Sequence, residues 1–168
     1  HQLESNEEKL KKKTGGRKVH TTLAFVHTYP DGDRDFSFYR NPGADMMLRK
    51  EEVSLEKICA SKIFHFGTLS FTHAGIRTAS QYAIQCAKEA GALISFDPNL
   101  REPLWENLED ARKAIEYGME CCDILKISDN ELTFMTGEKD YDKGAVLLQQ
   151  KYQIPLVCVT LGKDGSRA

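Results

Sequence analysis

The sequence lacks the features of several large protein classes. Its apolar runs end after about eight residues, so none approaches the ~18 residues needed to span a membrane. Its start carries no charged-then-apolar leader of the kind found in secretory signal peptides. The formal net charge of −2 and the pI of about 6.2 exclude the strongly basic surface of a nucleic-acid-binding protein. No G-x-G-x-x-G opens a helix, which argues against a dinucleotide oxidoreductase.

The cysteines and histidines are scattered along the chain. The five cysteines include no Cys-x-x-Cys pair, and the histidines form no cluster at metal-ligand spacing. The neighbours Cys121 and Cys122 can hardly pair with each other. We therefore expect buried or free thiols and a reducing, cytoplasmic location.

What is present is typical of a soluble globular domain. The chain has 168 residues, of which 40% are hydrophobic and 29% charged, enough for one domain with a buried core. Residues 1–18 differ, since they hold three acidic and six basic residues and almost no apolar ones. The run Lys11–Lys13 could touch nucleic acid or an acidic surface, but a solvated helix or linker is the commoner outcome. We interpret residues 1–18 as a polar tail and expect no nucleic-acid or membrane partner.

Two short strands follow the tail. Thr21–His27 is β-branched and apolar, and Phe36–Arg40 alternates aromatic and polar residues. The stretch between them, Thr28–Asp35, is rich in turn residues and contains an Asp-Gly pair. This pattern predicts a β-hairpin, and Asn41–Asp45 breaks its second strand. We assign residues 19–46 to this hairpin segment.

From residue 47 to residue 168, apolar strands alternate with helices. Each strand is a short apolar run, and each helix repeats its apolar residues at a spacing of three to four. The predicted strands are Lys62–Gly67, Leu93–Asp97, Ile124–Ser128 and Pro155–Gly162. The predicted helices are Leu55–Ala60, one from about Ile76 to Ala90, Leu108–Cys121, Asn130–Met135 and Asp142–Lys151. The alternation predicts an α/β domain with a mainly parallel sheet and right-handed crossovers.

Ligands of parallel sheets bind beyond the carboxyl ends of the strands. All four predicted strands run there into polar loops, which read TLSFTH, DPNLR, SDNE and GKDG. We therefore expect a ligand cleft along this edge, although asparagine, aspartate, glycine and proline also serve ordinary turns.

Several motifs in this order resemble the ribokinase-like (PfkB) sugar kinases. They are TTLAFV, DGDRDFSFYRNPGADMML, IFHFGTLS, KEAGALISFDPNLREPLW, ILKISDNELTFMTG and VTLGKDGS, and they run from about Thr21 to Ala168. DPNLR with PLW and SDNEL with TG are specific in combination, and FYRNPGAD is similar to the fructokinase branch. The resemblance implies a three-layer α/β sandwich with a mainly parallel sheet and a small β-lid hairpin. It also implies ATP and Mg²⁺ as cofactors, with D-fructose converted to fructose 6-phosphate.

The resemblance assigns substrate contacts to the hairpin and to DPNLR. Phe38 and Arg40 occupy the places of an aromatic-x-Arg pair that touches substrate in related sugar-acid kinases, where arginine can donate in a bidentate way. Alternatively, Arg40 only shields the edge of the hairpin. Because DPNLR follows a buried strand, Asp97 and Asn99 should face the cleft and bind substrate, and Arg101 matches an arginine that lines the sugar site in relatives. Alternatively, Asp97 caps the following segment and pairs with Arg101.

Two further motifs carry the implied nucleotide and metal contacts. Ser128 and Glu131 match the family's N-x-x-E motif, with serine in place of asparagine. Ser128 would contact the nucleotide, and Glu131 would hold Mg²⁺ through water. The same two residues also fit a helix capping box. Thr160, Gly162 and Gly165 match a T-x-G-x-x-G nucleotide loop, whose glycines let the backbone approach the ligand closely.

The sequence offers no catalytic residue. His65 and His73 match no catalytic position of the family, and we expect local hydrogen bonds to satisfy both. The family's GG region should precede Thr21, and its GAGD motif, whose aspartate is the general base, should follow Ala168. We therefore expect a partial kinase that is inactive alone and self-associates, as a dimer, through the hairpin or exposed sheet edges.

Two alternative functions stay open. The first is another sugar kinase of the same fold, acting on 2-keto-3-deoxygluconate, ribose or a nucleoside. The second is a non-catalytic kinase fragment that only binds or oligomerises. Turnover of different sugars separates the first alternative from a fructokinase, and a lack of ATP binding would support the second.

Overall fold

A two-stranded hairpin opens the described part of the chain. The computed structural model describes residues 19–30, 32, 34–40 and 42–168. Strands β1 (Leu23–Thr28) and β2 (Arg34–Tyr39) pair antiparallel, with Leu23 opposite Tyr39. The predicted hairpin is thereby confirmed. Its turn residue Asp31 and the predicted polar tail, residues 1–18, lie outside the described residues.

Strands and helices alternate through the remainder, as the sequence pattern predicts. The strands are β3 (Ile63–Gly67), β4 (Leu93–Asp97), β5 (Ile124–Ser128), β6 (Leu156–Thr160) and β7 (Ser166–Arg167). The helices are α1 (Leu55–Cys59), α2 (Ala74–Glu89), α3 (Leu108–Cys121), α4 (Asp129–Thr136) and α5 (Tyr141–Tyr152). Within the described ranges, no helix combines the length and the hydropathy that crossing a bilayer requires.

The second sheet is mixed and mainly parallel. Its order is β3-β4-β5-β6-β7, with parallel pairing from β3 to β6 and antiparallel pairing between β6 and β7. The four parallel strands confirm the predicted α/β architecture. Strand β7 is not predicted by the sequence pattern, because two residues are too few to show a period of two.

The core of the α/β body lies on one face of this sheet. The buried strand residues alternate along the chain and are Phe66, Ile94, Phe96, Leu125, Ile127, Val157 and Val159. They form one cluster with apolar residues of helices α2 to α5. On the opposite face, Ile63, Leu93 and Leu156 are exposed by 54%, 50% and 42%. The described residues therefore supply the sheet and one helical layer of the expected sandwich.

Helix α3 packs closely on β4 because Gly118 has no side chain. A Cβ atom at Gly118 would lie 2.3 Å from the ring of Phe96, which is fully buried. Only glycine lets the helix approach the strand to this distance. Strand β4, which ends at Asp97, is thus held firmly against the helical layer.

The five cysteines carry free thiols, as expected. Burial raises the pKa of the Cys122 thiol to about 12, so this thiol stays protonated at neutral pH. Its role is therefore that of a small apolar core residue.

Candidate functional site

The carboxyl ends of the parallel strands carry polar side chains on the open face of the sheet. Asp97 lies beside Gly67 in register, and its carboxylate forms an ion pair with Lys126, with 2.9 Å between Oδ2 and Nζ. One row towards the amino ends, His65 Nδ1 lies 3.0 Å from the Ser95 hydroxyl. The exposed apolar residues of this face lie at the amino ends of the strands. The polar half of the face is therefore the part suited to a hydrophilic ligand.

The loop after β4, residues 98–101, is tied to both neighbouring strand ends and is called the β4 loop below. From the end of β3, Thr68 donates twice to the Pro98 carbonyl, at 3.1 Å from its N–H and at 2.6 Å from Oγ1. From α4, Glu131 Oε1 accepts a hydrogen bond from the Leu100 N–H at 2.7 Å. The loop is thus fixed from two sides by separate parts of the chain.

The β4 loop is also shaped from within. Asp97 Oδ1 accepts from the Asn99 N–H at 3.2 Å, and Asn99 has a φ of 48°, in the left-handed region that asparagine tolerates better than most residues. The Arg101 guanidinium donates to the Leu100 carbonyl at 3.0 Å. Local capping by Asp97 is therefore confirmed. The ion pair with Arg101 that the same alternative proposed is wrong, because the Asp97 carboxylate pairs with Lys126 of β5.

Ser128 and Glu131 form the predicted capping box at the start of α4. Ser128 Oγ accepts from the Glu131 N–H at 3.3 Å, and Glu131 Oε2 accepts from the Ser128 N–H at 2.9 Å and from its hydroxyl at 2.8 Å. Glu131 is only 8% exposed. With the bond from Leu100, three donors engage a carboxylate that offers about four acceptor positions.

One acceptor position of Glu131 is left for a further donor. It borders a cleft of about 250 Å³ that Ser128, Asn130 and Phe134 help to line. A water molecule bound to a metal can donate at this free position. Across the described residues, no three His, Cys, Asp or Glu side chains are grouped to hold a metal. The single free acceptor position of Glu131 is therefore compatible with Mg²⁺ held through a water molecule.

A larger cleft lies between the hairpin and the β4 loop. Its volume is about 390 Å³, and its lining includes Phe36, Phe38 and Arg101. The Arg101 guanidinium lies over the Phe36 ring, 4.5 Å from its centroid, in a cation–π contact. Phe36 in turn stacks with Phe38 at 6.1 Å. Two of the predicted substrate residues, Phe38 and Arg101, thus face one cleft.

Asp97 and Asn99 line a second cleft, of about 250 Å³. It is completed by His65, Gly67, Leu69 and Ser70. The β4 loop therefore offers Asn99 to this cleft and Arg101 to the hairpin cleft. The substrate contacts of these residues stay predictions, but the structure brings four of the five predicted residues to two neighbouring clefts.

Arg40, the fifth predicted substrate residue, is buried at the base of the hairpin. Its side chain is 6% exposed and pairs with Asp45 at 2.6 Å. The guanidinium also donates to Thr72 Oγ1 at 2.6 Å and to the Leu69 carbonyl at 3.0 Å. Arg40 therefore joins the hairpin to the turn after β3. The alternative, in which Arg40 only shields the edge of the hairpin, does not account for these three buried contacts. The substrate contact of Arg40 stays a prediction.

The carboxyl group paired with Arg40 has a shifted pKa. Burial works against the charged form of Asp45, but hydrogen bonds from Arg40 and Thr22, with the positive charge of Arg40, lower its pKa below the ordinary value of 3.8. The pair is therefore ionised at neutral pH.

The loop after β6, residues 161–165, contains the predicted nucleotide glycines and is called the β6 loop below. Thr160 lies opposite Ser166, and the Leu161 N–H donates to the Gly165 carbonyl at 2.8 Å. Gly162 and Gly165 have φ values of 57° and 92°, and a Cβ atom on either would meet nothing within 4 Å. The glycines permit the turn and leave its outer side open. Contact of Thr160, Gly162 and Gly165 with a nucleotide stays a prediction.

The two histidines weighed as bases have local partners, as expected. His65 bonds to Ser95, and His73 caps α2 by accepting from the Gly75 N–H at 3.3 Å. Lys126 and Thr68 were not predicted from the sequence. The period of two in β5 puts Lys126 on the face opposite the core, which is a signal that could have found it. Thr68 gives no such signal, because its partner is 30 residues away.

These observations define a class of protein: an α/β protein with a mainly parallel sheet and a polar, two-cleft site at the strand carboxyl ends, partly covered by a β-hairpin. Comparison with protein families narrows the class. The model of the pfkB family carbohydrate kinases matches residues 13–168. The chain belongs to this family.

Two similar sequences are plant fructokinases. Probable fructokinase-2 of Arabidopsis thaliana is 49% identical over 147 residues, which cover 88% of this chain and 45% of that relative. Fructokinase-2 of Solanum lycopersicum is 45% identical over 145 residues, which cover 86% of this chain and 44% of that relative. The chain thus spans a little under half the length of these curated relatives.

Two solved structures have a similar fold. The fructokinase from Xylella fastidiosa matches with a TM-score of 0.71 and 30% identity, over 88% of this chain and 48% of that one. The fructokinase from Vibrio cholerae O395, solved with fructose, ADP and a calcium ion, matches with a TM-score of 0.73 and 31% identity, over 85% and 46% of the two chains. These similarities confirm the predicted fold class.

Proposed function

We propose that this chain forms the sugar-binding and phosphate-binding part of an ATP-dependent sugar kinase that converts D-fructose to fructose 6-phosphate. One observation carries the proposal: a single fixed loop presents Asn99 and Arg101 to neighbouring clefts, beside the Ser128–Glu131 pair. The names of the similar proteins support fructose as the sugar. Five free thiols suit a reducing cytoplasm as the place of action.

The polar strand ends suit a sugar because they offer both donors and acceptors in fixed positions. Asn99 has an amide that can donate and accept, and the Asp97 carboxylate beside it is an acceptor held by Lys126. Arg101 supplies paired donors in the hairpin cleft, next to the apolar rings of Phe36 and Phe38. Such a mixture of fixed polar groups and ring faces matches the hydroxyls and the carbon skeleton of a sugar.

The phosphate side of the proposal rests on α4 and the β6 loop. Glu131 would accept a hydrogen bond from a water molecule on Mg²⁺, and Ser128 and the open β6 loop would face the nucleotide. When bound, Mg²⁺ neutralises phosphate charge. In the reaction, the γ-phosphoryl group leaves ADP and forms a P–O bond to a sugar hydroxyl, whose proton departs. The described residues bind and orient the partners in this scheme, and proton transfer is not assigned to any of them.

The first test is a coupled assay of ADP release by the full chain with ATP, Mg²⁺ and fructose. Calorimetric titrations with fructose and with ADP accompany it, because binding does not need a proton acceptor. Binding of fructose and ADP supports the proposal, and turnover of fructose would contradict the expectation that the chain is inactive alone. A lack of nucleotide binding supports the non-catalytic alternative, and binding of neither ligand contradicts the proposal for this chain.

A matched pair of variants locates the sugar contact. Arg101→Met keeps a long aliphatic stem but loses the guanidinium, so we expect the Kd for fructose to rise about tenfold. Lys113→Met removes a cation that is 64% exposed on α3, away from both clefts, and should leave the Kd unchanged. Equal effects of the two variants would contradict a sugar contact of Arg101.

A sugar acid such as 2-keto-3-deoxygluconate is the second candidate substrate. The observation in its favour is that two arginines, Arg34 and Arg101, line the hairpin cleft. A carboxylate would pair with such cations more strongly than a neutral sugar does. The acidic residues Asp35 and Glu102 line the same cleft and oppose this effect. Side-by-side turnover or titration of fructose, glucose, ribose and 2-keto-3-deoxygluconate decides between the candidates.

Self-association through the hairpin is the remaining part of the proposal. The register puts Leu23, Phe25 and Tyr39 on the face that points away from the cleft, and they are exposed by 49%, 63% and 50%. A second copy is the partner we propose for this apolar face. Sedimentation should show a dimer that Phe25→Ser weakens, whereas Val146→Ser, on the exposed side of α5, should not. A wild-type monomer at high concentration would contradict dimerisation.

A further inference from the structure

Two polar residues that are buried as whole residues, Thr68 and Glu131, serve the same loop. Thr68 is 0% exposed and Glu131 is 8% exposed. The Thr68 hydroxyl donates to the Pro98 carbonyl, and the Glu131 carboxylate accepts from the Leu100 N–H. Burial of a polar group is unfavourable unless the group forms hydrogen bonds. For these two side chains, the hydrogen bonds that offset burial include bonds to the backbone of residues 98 and 100. The loop that they hold is the β4 loop.

The strand end that carries Thr68 is fitted closely to this loop. Gly67 lies so near to β4 that a Cβ atom on it would be 2.7 Å from the Asp97 carbonyl oxygen. This close approach lets both the N–H and the hydroxyl of Thr68 reach the Pro98 carbonyl, at 3.1 and 2.6 Å. The hydroxyl therefore donates a second hydrogen bond to the Pro98 carbonyl, which already accepts one from the Thr68 N–H. Two hydrogen bonds to the same carbonyl restrict the direction in which the β4 loop leaves β4.

The direction of the β4 loop determines where the side chains of Asn99 and Arg101 lie. Immediately after Pro98 the backbone enters the left-handed region at Asn99, and Leu100 is then fixed by Glu131. Asn99 and Arg101 flank Leu100 and lie in two different clefts. A small rotation at Pro98 would move both side chains relative to a bound ligand and weaken their hydrogen bonds to it, because hydrogen bonds depend on distance and angle.

We propose that Thr68 is a positioning residue for the sugar-binding side chains Asn99 and Arg101, acting through the Pro98 carbonyl and jointly with Glu131. The sugar in this statement rests on the proposed function, whereas the positioning of the β4 loop does not. The hydroxyl of Thr68, and not its methyl group, carries the effect.

Two substitutions separate the hydroxyl from the methyl group. Thr68→Val keeps the shape and loses the hydroxyl, and Thr68→Ser keeps the hydroxyl and loses the methyl group. Thr78→Val is the matched control, because the Thr78 hydroxyl donates to the Ala74 carbonyl at an exposed position in α2. Circular dichroism confirms that each full-length variant is folded. Glu131→Gln serves as a second variant that disturbs the loop from its other side.

The first readout is amide hydrogen exchange at Asn99 and Leu100, followed by NMR without any ligand. We expect exchange to accelerate about tenfold in Thr68→Val and in Glu131→Gln, and to stay at the wild-type rate in Thr68→Ser and Thr78→Val. Unchanged exchange in Thr68→Val would overturn the proposal. Equal acceleration in Thr68→Ser would also overturn it, since the methyl group would then be responsible.

The second readout is the Kd for fructose by calorimetry. We expect about a tenfold increase in Thr68→Val and a value within about twofold of wild type in Thr68→Ser. If exchange responds but the Kd does not, the residue is structural only and the positioning role is overturned. If the wild-type chain binds no fructose, the proposed function fails, and amide exchange alone decides whether Thr68 positions the loop.

Discussion

The β4 loop and the β6 loop both follow parallel strands of one sheet, but they are built in opposite ways. The β4 loop is held by buried side chains from the two neighbouring strand ends, Thr68 and Glu131. The β6 loop is shaped by bonds between its own backbone groups, such as the one from Leu161 to Gly165 at 2.8 Å. Its residues from Gly162 onward are exposed.

This difference bears on the kind of ligand that each loop would suit. A loop fixed by buried side chains presents Asn99 and Arg101 in set directions, which suits the directional hydrogen bonds of a sugar. A loop shaped by glycines presents open backbone, which suits close contact with a nucleotide. If the difference holds, substitutions that disturb the β4 loop should destabilise the protein more than substitutions in the β6 loop.

The largest effect is expected from Glu131→Ala. The substitution leaves the N–H groups of Leu100 and Ser128 without their buried acceptor, and each such loss costs about 1–3 kcal/mol. We expect the free energy of unfolding to fall by about 3 kcal/mol in urea denaturation. Glu106→Ala, an exposed glutamate in the same region of the chain, is the control and should change it by less than about 0.5 kcal/mol. Similar losses in both variants would remove the distinction between the loops.

The next largest effect is expected from Gly67→Ala. The new Cβ atom would lie 2.7 Å from the Asp97 carbonyl oxygen, so β3 or the start of the β4 loop must move. Overpacking of this kind costs about 2 kcal/mol, measurable as a shift in the urea midpoint. In Gly75→Ala the nearest atom is 3.5 Å away and the residue is helical, so stability should stay level or rise by up to about 1 kcal/mol. A neutral Gly67→Ala would show that the β4 loop tolerates displacement.

The elements that the sequence predicted well are those with a clear period. Helix α3 lies at Leu108–Cys121, as its apolar spacing predicts, and strands β3 to β6 follow from short apolar runs. Strand β7 was not predicted, because Ser166–Arg167 is too short to show a pattern. Its pairing depends on the turn at Gly162 and Gly165, which returns the chain beside β6.

Site residues at strand ends could be predicted from the sequence, whereas contacts between residues distant in the chain could not. The position of Asp97 at the end of an apolar strand marks it as a cleft residue, and the capping box of Ser128 follows from local spacing. The burial of Arg40 could not be foreseen, because its partners Leu69 and Thr72 are about thirty residues away in the chain. The same reason applies to the contact between Arg101 and Phe36.

A smaller effect is expected from Gly162→Ala in the β6 loop. The residue has a φ of 57°, and a Cβ atom on it would meet nothing within 4 Å, so the cost is conformational and not steric. We expect a loss of about 1 kcal/mol in urea denaturation, with no change in amide exchange at Leu100. A loss as large as that of Glu131→Ala would break the comparison, because the β6 loop would then be as integral to the fold as the β4 loop.

The smallest effect is expected from Asp45→Asn. Asp45 does not contact the β4 loop, but its partner Arg40 bonds to Leu69, the residue after Thr68. Arg40 bonds to the turn that begins at Thr68, and its partner Asp45 has a pKa lowered below 3.8 in the folded state. A lowered folded-state pKa stabilises the protein above the unfolded-state value, and this contribution is lost as the pH falls through the folded-state pKa. Because the pair is partly exposed and screened, the variant should lose less than about 1 kcal/mol at pH 7. Urea denaturation should show this gap closing as the pH falls below 3.8. If the difference in unfolding free energy between wild type and Asp45→Asn does not change with pH, the charge of Asp45 does not help to hold the hairpin to the turn that begins at Thr68.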